Sequence, residues 1–127
     1  MSESEGVSVH ALESVLDHVL STPGVLGAAV VDAVTGLTYA EAGECGPAGP
    51  GTDISELAAL IGDGLHDAGA WGELENVVVT SRRVHHIVEV VPRHGDPVLL
   101  SVVLDREGTN LALAVRQLSE HVRMLLA

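Results

Sequence analysis

The chain has 127 residues, a hydrophobic share of 46% and a formal net charge of −12, which suits one folded domain over 1–127 and weighs against nucleic acid, whose phosphates need a clustered basic surface. It contains no lysine, so it holds neither a phosphate loop ending in Gly-Lys-Ser/Thr nor a lysine Schiff base. No apolar run approaches the roughly 20 residues that span a bilayer, the start MSESEGVSVH lacks the basic and apolar regions of a signal peptide, and Cys45 is the single cysteine, so a cytoplasmic protein without direct membrane insertion is expected.

Residues 1–7 read as a disordered tail. Val9, Leu12, Leu16 and Val19 then recur at spacings of three and four, with Val15 and Leu20 widening the stripe, which predicts an amphipathic helix over Val9–Ser21 stopped at STPG. The stretch VLGAAVVDAVTGLTYAE carries small and β-branched residues around a turn at Asp32–Gly36, the pattern of two antiparallel strands. AGECGPAGPGT is dense in glycine and proline, and 43–52 is expected to form a flexible loop without regular structure. Cys45 sits in that loop as an exposed thiol, with no second cysteine to give it a redox role.

Asp53 and, three residues on, Glu56 predict a capped start for a second helix, with Ile54, Leu57, Ala58, Ile61, Leu65 and Ala68 on its apolar face. Its interior holds Gly62 and Gly64, each costing about 1 kcal/mol relative to alanine, and the flank of Ser55, Ala59, Gly62, His66 and Gly69 reads either as a close helix–helix contact or as a solvent-facing flank. Three apolar runs of strand length follow, ENVVVTS, VHHIVEVV and VLLSVVLD, joined by links too short for a crossover helix; they predict an antiparallel meander. Val77–Val79 and Val98–Leu104 are apolar at odd and even positions alike, which predicts cover on both faces of the sheet. Thr109 or Asn110 caps a last helix that places Leu111, Val115, Leu118, Val122 and Leu125 on one face.

SRRVHHIVEVVPRHGDPVLLS concentrates histidines and arginines. His85 and His86 are adjacent on a strand and therefore point to opposite faces, while His94 lies in a turn, so no metal site is expected. The stretch reads as a hairpin whose polar side chains line a partly exposed strand. Arg82, Arg83 and Arg93 offer an anion or acidic-partner patch, with Arg82 and Arg83 as the candidate partner surface. No Gly-x-Ser-x-Gly elbow is present, and no nucleophile pairs recognisably with a histidine, so no catalytic residue and no cofactor is assigned.

The predicted order α-β-β-α-β-β-β-α, with PGVLGAAVVDAVTG leading into the first hairpin and VVLDREGTNLALAVRQL running from the last strand into the last helix, resembles the Roadblock/LC7 family, including its bacterial MglB-like members. The likeness covers nearly the whole chain. It departs in the Gly/Pro loop and in RRVHH. The resemblance implies an α/β (α+β) three-layer sandwich: a five-stranded antiparallel sheet with helix two on one face and helices one and three on the other. It also implies a homodimer through helix two and strand three, with Ser55, Ala59, Leu60, Gly62, His66, Val77, Val78 and Val79 at the contact. It implies a non-enzymatic scaffold for a small Ras-like GTPase, working beside a sensor histidine kinase and acting on the GTPase's own switch loops rather than by an arginine finger from Arg82 or Arg83. The lysine-free, Ala/Gly/Val/Arg-heavy composition points to a GC-rich actinobacterial source. A small-molecule sensor domain of PAS/GAF-like type is the alternative, poorly equipped here with only Tyr39 and Trp71 as aromatic anchors.

Overall fold

The computed structural model describes residues 9–70, 72 and 74–126. The expectations for the tail 1–7, for Trp71 and for the side chains of Val9 and Leu125 lie outside the described residues. The element order is α1 (Val9–Leu20), β1 (Val25–Asp32), β2 (Thr38–Gly43), a 3₁₀ turn (Gly46–Ala48), α2 (Gly51–Asp67), β3 (Asn76–Thr80), β4 (Val84–Val91), β5 (Val98–Asp105) and α3 (Leu111–Leu126). The five strands form one antiparallel sheet in the order β2-β1-β5-β4-β3.

Strand alternation divides the sheet into two apolar faces. On one, Val30, Ile87, Val91, Leu100 and Val102 pack with Leu12, Leu16 and Val19 of α1 and with Ala114, Leu118 and Val122 of α3. On the other, Ala29, Val31, Val88 and Leu99 pack with Ile54 and Ala58 of α2. The central strand β5 is buried from Val98 to Leu104, as a strand covered on both faces must be. β3 differs from expectation. It lies at the sheet edge, where Val77 still packs against the cluster under α2 but Val78 and Val79 are 37% and 42% exposed.

Asp32 organises the first hairpin. Its Oδ1 accepts the N–H groups of Val34 and Thr35 at 2.8 and 2.9 Å, an arrangement that folds the backbone into a turn, and Gly36 supplies the positive φ of 79° that the chain needs there. α3 begins as expected, with Asn110 Oδ1 accepting the Leu113 N–H at 3.0 Å.

The Gly/Pro stretch departs from its expected lack of regular structure. It contains the 3₁₀ turn, Ala48 and Cys45 pack against the second core cluster, and α2 starts at Gly51 with Pro50 as its N-cap. Asp53 thus lies in the first helical turn instead of capping it. Close approach explains the early start: a Cβ on Gly51 would collide with the Gly36 carbonyl oxygen and the Thr38 hydroxyl, so only glycine lets the helix end seat against the hairpin. A Cβ on Gly27 would likewise strike the backbone of Glu44.

Candidate functional site

The arrangement that stands out is the outer edge of β3 together with the C-terminal half of α2. Ser81 donates its N–H to Val84 O at 3.0 Å, and Val90 donates to Glu75 O at 2.9 Å. In an antiparallel ladder bonded pairs alternate, so Val77 and Val79 bond inward to β4, while the N–H and C=O groups of Asn76, Val78 and Thr80 face outward from the sheet. Such an edge is a template for another strand.

Beside it, α2 is buried only near its start, through Ile54, Ser55 and Ala58. Leu60 is 71% exposed, Ala59 and His66 are exposed, and Ile61, Gly62 and Leu65 are half-buried. Ala68 caps the helix and Gly69 follows it at φ 91°, so neither extends the apolar face. Ser55 also leaves the predicted contact: it is 6% exposed within the protomer and its hydroxyl donates to Thr52 O at 3.0 Å. Nothing within the protomer requires the helix glycines. A Cβ on Gly62 would meet only Leu74 Cδ2 at 4.0 Å, and one on Gly64 would meet nothing within that distance.

A second feature lies at the end of the sheet where β3 turns into β4. Arg82 and Arg83 share an open concavity with Asp105, Arg106 and Glu107, which gathers half of the chain's six basic residues. The backbone there is tied together: Arg106 N–H donates to Arg83 O at 2.9 Å and Arg106 Nη1 donates to Ser81 O at 3.1 Å. Arg93, grouped with them in the sequence, sits at the other end of β4. Its Nε donates to Asp96 O at 2.8 Å, and its guanidinium lies 5.7 Å from the centre of the Tyr39 ring.

The histidine pair does not line an exposed strand. β4 is an inner strand, and His85 and His86 are both 8% exposed. They lie on opposite faces as alternation requires: His85 Nδ1 meets Thr80 Oγ1, and His86 Nε2 meets Ser101 Oγ, both at 2.8 Å. Burial holds the His86 pKa below its ordinary value. His94 is exposed in the β4–β5 turn, and among the described residues no group of three His, Cys, Asp or Glu side chains converges as metal ligands would. Cys45, expected to be exposed, is half-buried, with Sγ 3.4 Å from the carbonyl oxygens of Ala28 and Ala42. Burial, with a smaller contribution from Glu41, pushes its thiol pKa up, away from the reactive thiolate.

No family model matches the sequence, and no curated protein matches it. The architecture does have solved counterparts. Myxococcus xanthus MglB superposes with a TM-score of 0.75 at 20% identity, over 98% of this chain and 90% of that one. An MglB with a tetrameric arrangement gives 0.75 at 21% identity over 94% and 88%. A Roadblock/LC7 domain from Streptomyces avermitilis gives 0.68 at 18% identity over 87% and 91%. This chain has the Roadblock/LC7 fold. Within that fold, the β3 edge, the far half of α2 and the arginine-bearing β3–β4 turn are open on this protomer; helix two covers the part of the sheet nearest β1, and the 3₁₀ turn extends the cover toward β4 and β5.

Proposed function

We propose that this protein is a non-enzymatic homodimeric scaffold that regulates a small Ras-like GTPase in the cytoplasm, in a bacterial signalling complex with a sensor histidine kinase. The observation that carries the reading is the unpaired β3 edge beside the exposed half of α2, on a chain whose fold is that of MglB. An edge strand and an apolar helix flank on one side are what a second copy would cover by pairing strands and packing helices. In this reading Ala59, Leu60, Gly62, His66 and Val77–Val79 form the dimer contact, and Gly62 lets the two helices approach closely. Dimerisation then builds a broad surface from two copies, on which a GTPase docks. The protein acts by biasing the GTPase's switch loops rather than by supplying a catalytic group.

The test titrates GTPases encoded in the same genome against the protein, in GTP-analogue and GDP states and at two ionic strengths. The affinity should differ between nucleotide states by about 1–3 kcal/mol. It should weaken with salt, because a chain of net charge −12 meets a basic partner face through screened attraction. Absence of GTPase binding alongside clear binding of a small metabolite would replace this reading with the sensor domain. Light scattering should report a dimer at micromolar concentration, split by Gly62→Glu, which buries an unpaired charge in the contact.

A further inference from the structure

We propose that the concavity between the β3–β4 turn and the β5–α3 loop docks an acidic segment of a partner protein. Arg82 and Arg83 hold the segment's carboxylates, and Arg106 positions the turn that carries them. The inference uses none of the residues assigned to the contact between copies, and it needs a partner that is acidic where the proposed GTPase face is basic.

The sheet brings the turn and the loop together. Val84 stands opposite Asp105 in the β4–β5 ladder, so Arg82 and Arg83, just before Val84, and Arg106 and Glu107, just after Asp105, meet at one end of the sheet around an open concavity of about 500 Å³. All five lining residues are exposed. Neither the Arg82 nor the Arg83 guanidinium has a hydrogen-bond or ion-pair partner among the described residues. Arg93 is different: its Nε donates to Asp96 O at 2.8 Å and its Nη2 to the Tyr39 hydroxyl at 3.4 Å. Two adjacent guanidiniums are thus free to take carboxylates, each through a planar fork of N–H donors.

The backbone beneath them is held before any partner arrives. Ser81 donates its N–H and its hydroxyl to Val84 O, at 3.0 and 3.3 Å. Arg106 donates its backbone N–H to Arg83 O and its Nη1 to Ser81 O, at 2.9 and 3.1 Å, so the turn is fixed to the loop from both of its ends. The loop is braced in turn, with the Thr109 hydroxyl donating to Asp105 O and the Glu107 N–H donating to Asp105 Oδ1 at 3.2 Å. Binding therefore has only side chains to order, which keeps its entropic cost low.

The mixture of charges selects the class of partner. Asp105 and Glu107 line the same concavity, so a compact phosphate would meet two carboxylates along with three arginines. An extended polypeptide separates its groups: carboxylates reach Arg82 and Arg83, while a backbone N–H or a hydroxyl donates to the Glu107 carboxylate. Nucleic acid and anionic membranes call for a larger basic surface than three arginines on a chain of net charge −12. That same charge repels an acidic segment from other parts of the surface and guides it to this end.

A fluorescein-labelled peptide of alternating glutamate and serine tests the proposal by fluorescence anisotropy. It should bind the full chain with an affinity that falls as salt rises, and a peptide with glutamine in place of glutamate should not bind. Arg82→Gln with Arg83→Gln should weaken binding at least ~10-fold, whereas Arg93→Gln with Arg123→Gln, which removes the same charge elsewhere, should leave it unchanged. Equal melting temperatures of both double variants and the wild type separate loss of the contact from loss of the fold. No binding of the glutamate peptide, or binding indifferent to Arg82 and Arg83, overturns the site. Inorganic phosphate, phosphatidylserine vesicles or a DNA duplex that binds more tightly than the peptide and depends on the same two arginines overturns the assigned partner class.

Discussion

His86 and Glu89 show how burial on one strand gives two residues opposite pH dependence. Water is excluded from the His86 ring, which holds its pKa below the ordinary 6.5. The unfolded chain takes up a proton near 6.5 while the folded chain does not, so this contribution to stability is fully present above 6.5 and declines as the pH falls below it. His121 has the same sign, from burial first and then from the nearby His18 charge. Burial pushes the Glu89 carboxyl up from its ordinary 4.5, only partly opposed by the Ser119 hydroxyl at 3.3 Å. Its contribution is therefore present at low pH and lost as the pH rises through its folded pKa. Denaturant unfolding across pH should show that His86→Gln flattens the loss of stability below pH 6.5. An unaltered acid limb would mean that another group controls it. At the hairpin, the Thr35 backbone N–H, then the Tyr39 hydroxyl at 2.7 Å, hold Asp32 at a pKa of about 2. Tyr39→Phe removes one of those donors and should lower stability by about 1–2 kcal/mol, while raising the Asp32 pKa, which carboxyl NMR shifts would register.

At the scale of elements, α2 divides into two halves with different work. Its first turns are fixed by Ile54, Ser55 and Ala58 and by the glycine-only seat at Gly51. Its later turns lean on nothing that needs Gly62 or Gly64. Gly64→Ala should accordingly raise stability by about 0.5–1 kcal/mol, the ordinary helix gain, in a thermal or denaturant melt. Gly27→Ala should lower it, because the added methyl meets the Glu44 backbone. If Gly64→Ala instead weakens self-association while leaving the protomer intact, the glycine serves the contact between copies and not the helix. The strands show a parallel division. β5 is buried along almost its whole length and carries the core, whereas β3 is half-exposed and carries the free edge.

For the whole molecule, the two core clusters on the two sheet faces explain why the order of elements alternates as it does: α1 and α3 share one face, and α2 with the 3₁₀ turn occupies the other. None of the described helices is long and apolar enough to cross a membrane. The charge distribution is as uneven as the packing. Arg82, Arg83 and Arg106 gather at one end of an otherwise acidic chain, so salt should act on the molecule in two ways. It should screen repulsion between copies and at the same time weaken the attraction of those arginines for an acidic surface. Sedimentation over a salt series should find self-association of the wild type strengthening with salt, because repulsion between two copies of net charge −12 outweighs the attraction of that cluster.

The sequence by itself determined the elements. The spacing of Leu12, Leu16 and Val19 marks α1, the small and β-branched run around Asp32–Gly36 marks the first hairpin, and the short links between the last three apolar runs mark a meander, since each signal is local and periodic. It also determined that His85 and His86 diverge, because strand alternation is a property of the backbone alone. The tertiary structure decided what no local pattern carries. The pairing of β1 with β5, residues far apart in the chain, puts β4 inside the sheet and β3 at its rim; burial of the histidine pair and exposure of Val78 and Val79 both follow from that one pairing. The glycine and proline content of 43–52 marks weak intrinsic preference, but contact with the sheet and the hairpin supplies the order. Ser55 turns inward for the same reason. Helical spacing names the residues that share a face, and only packing against the sheet decides which part of that face is already taken.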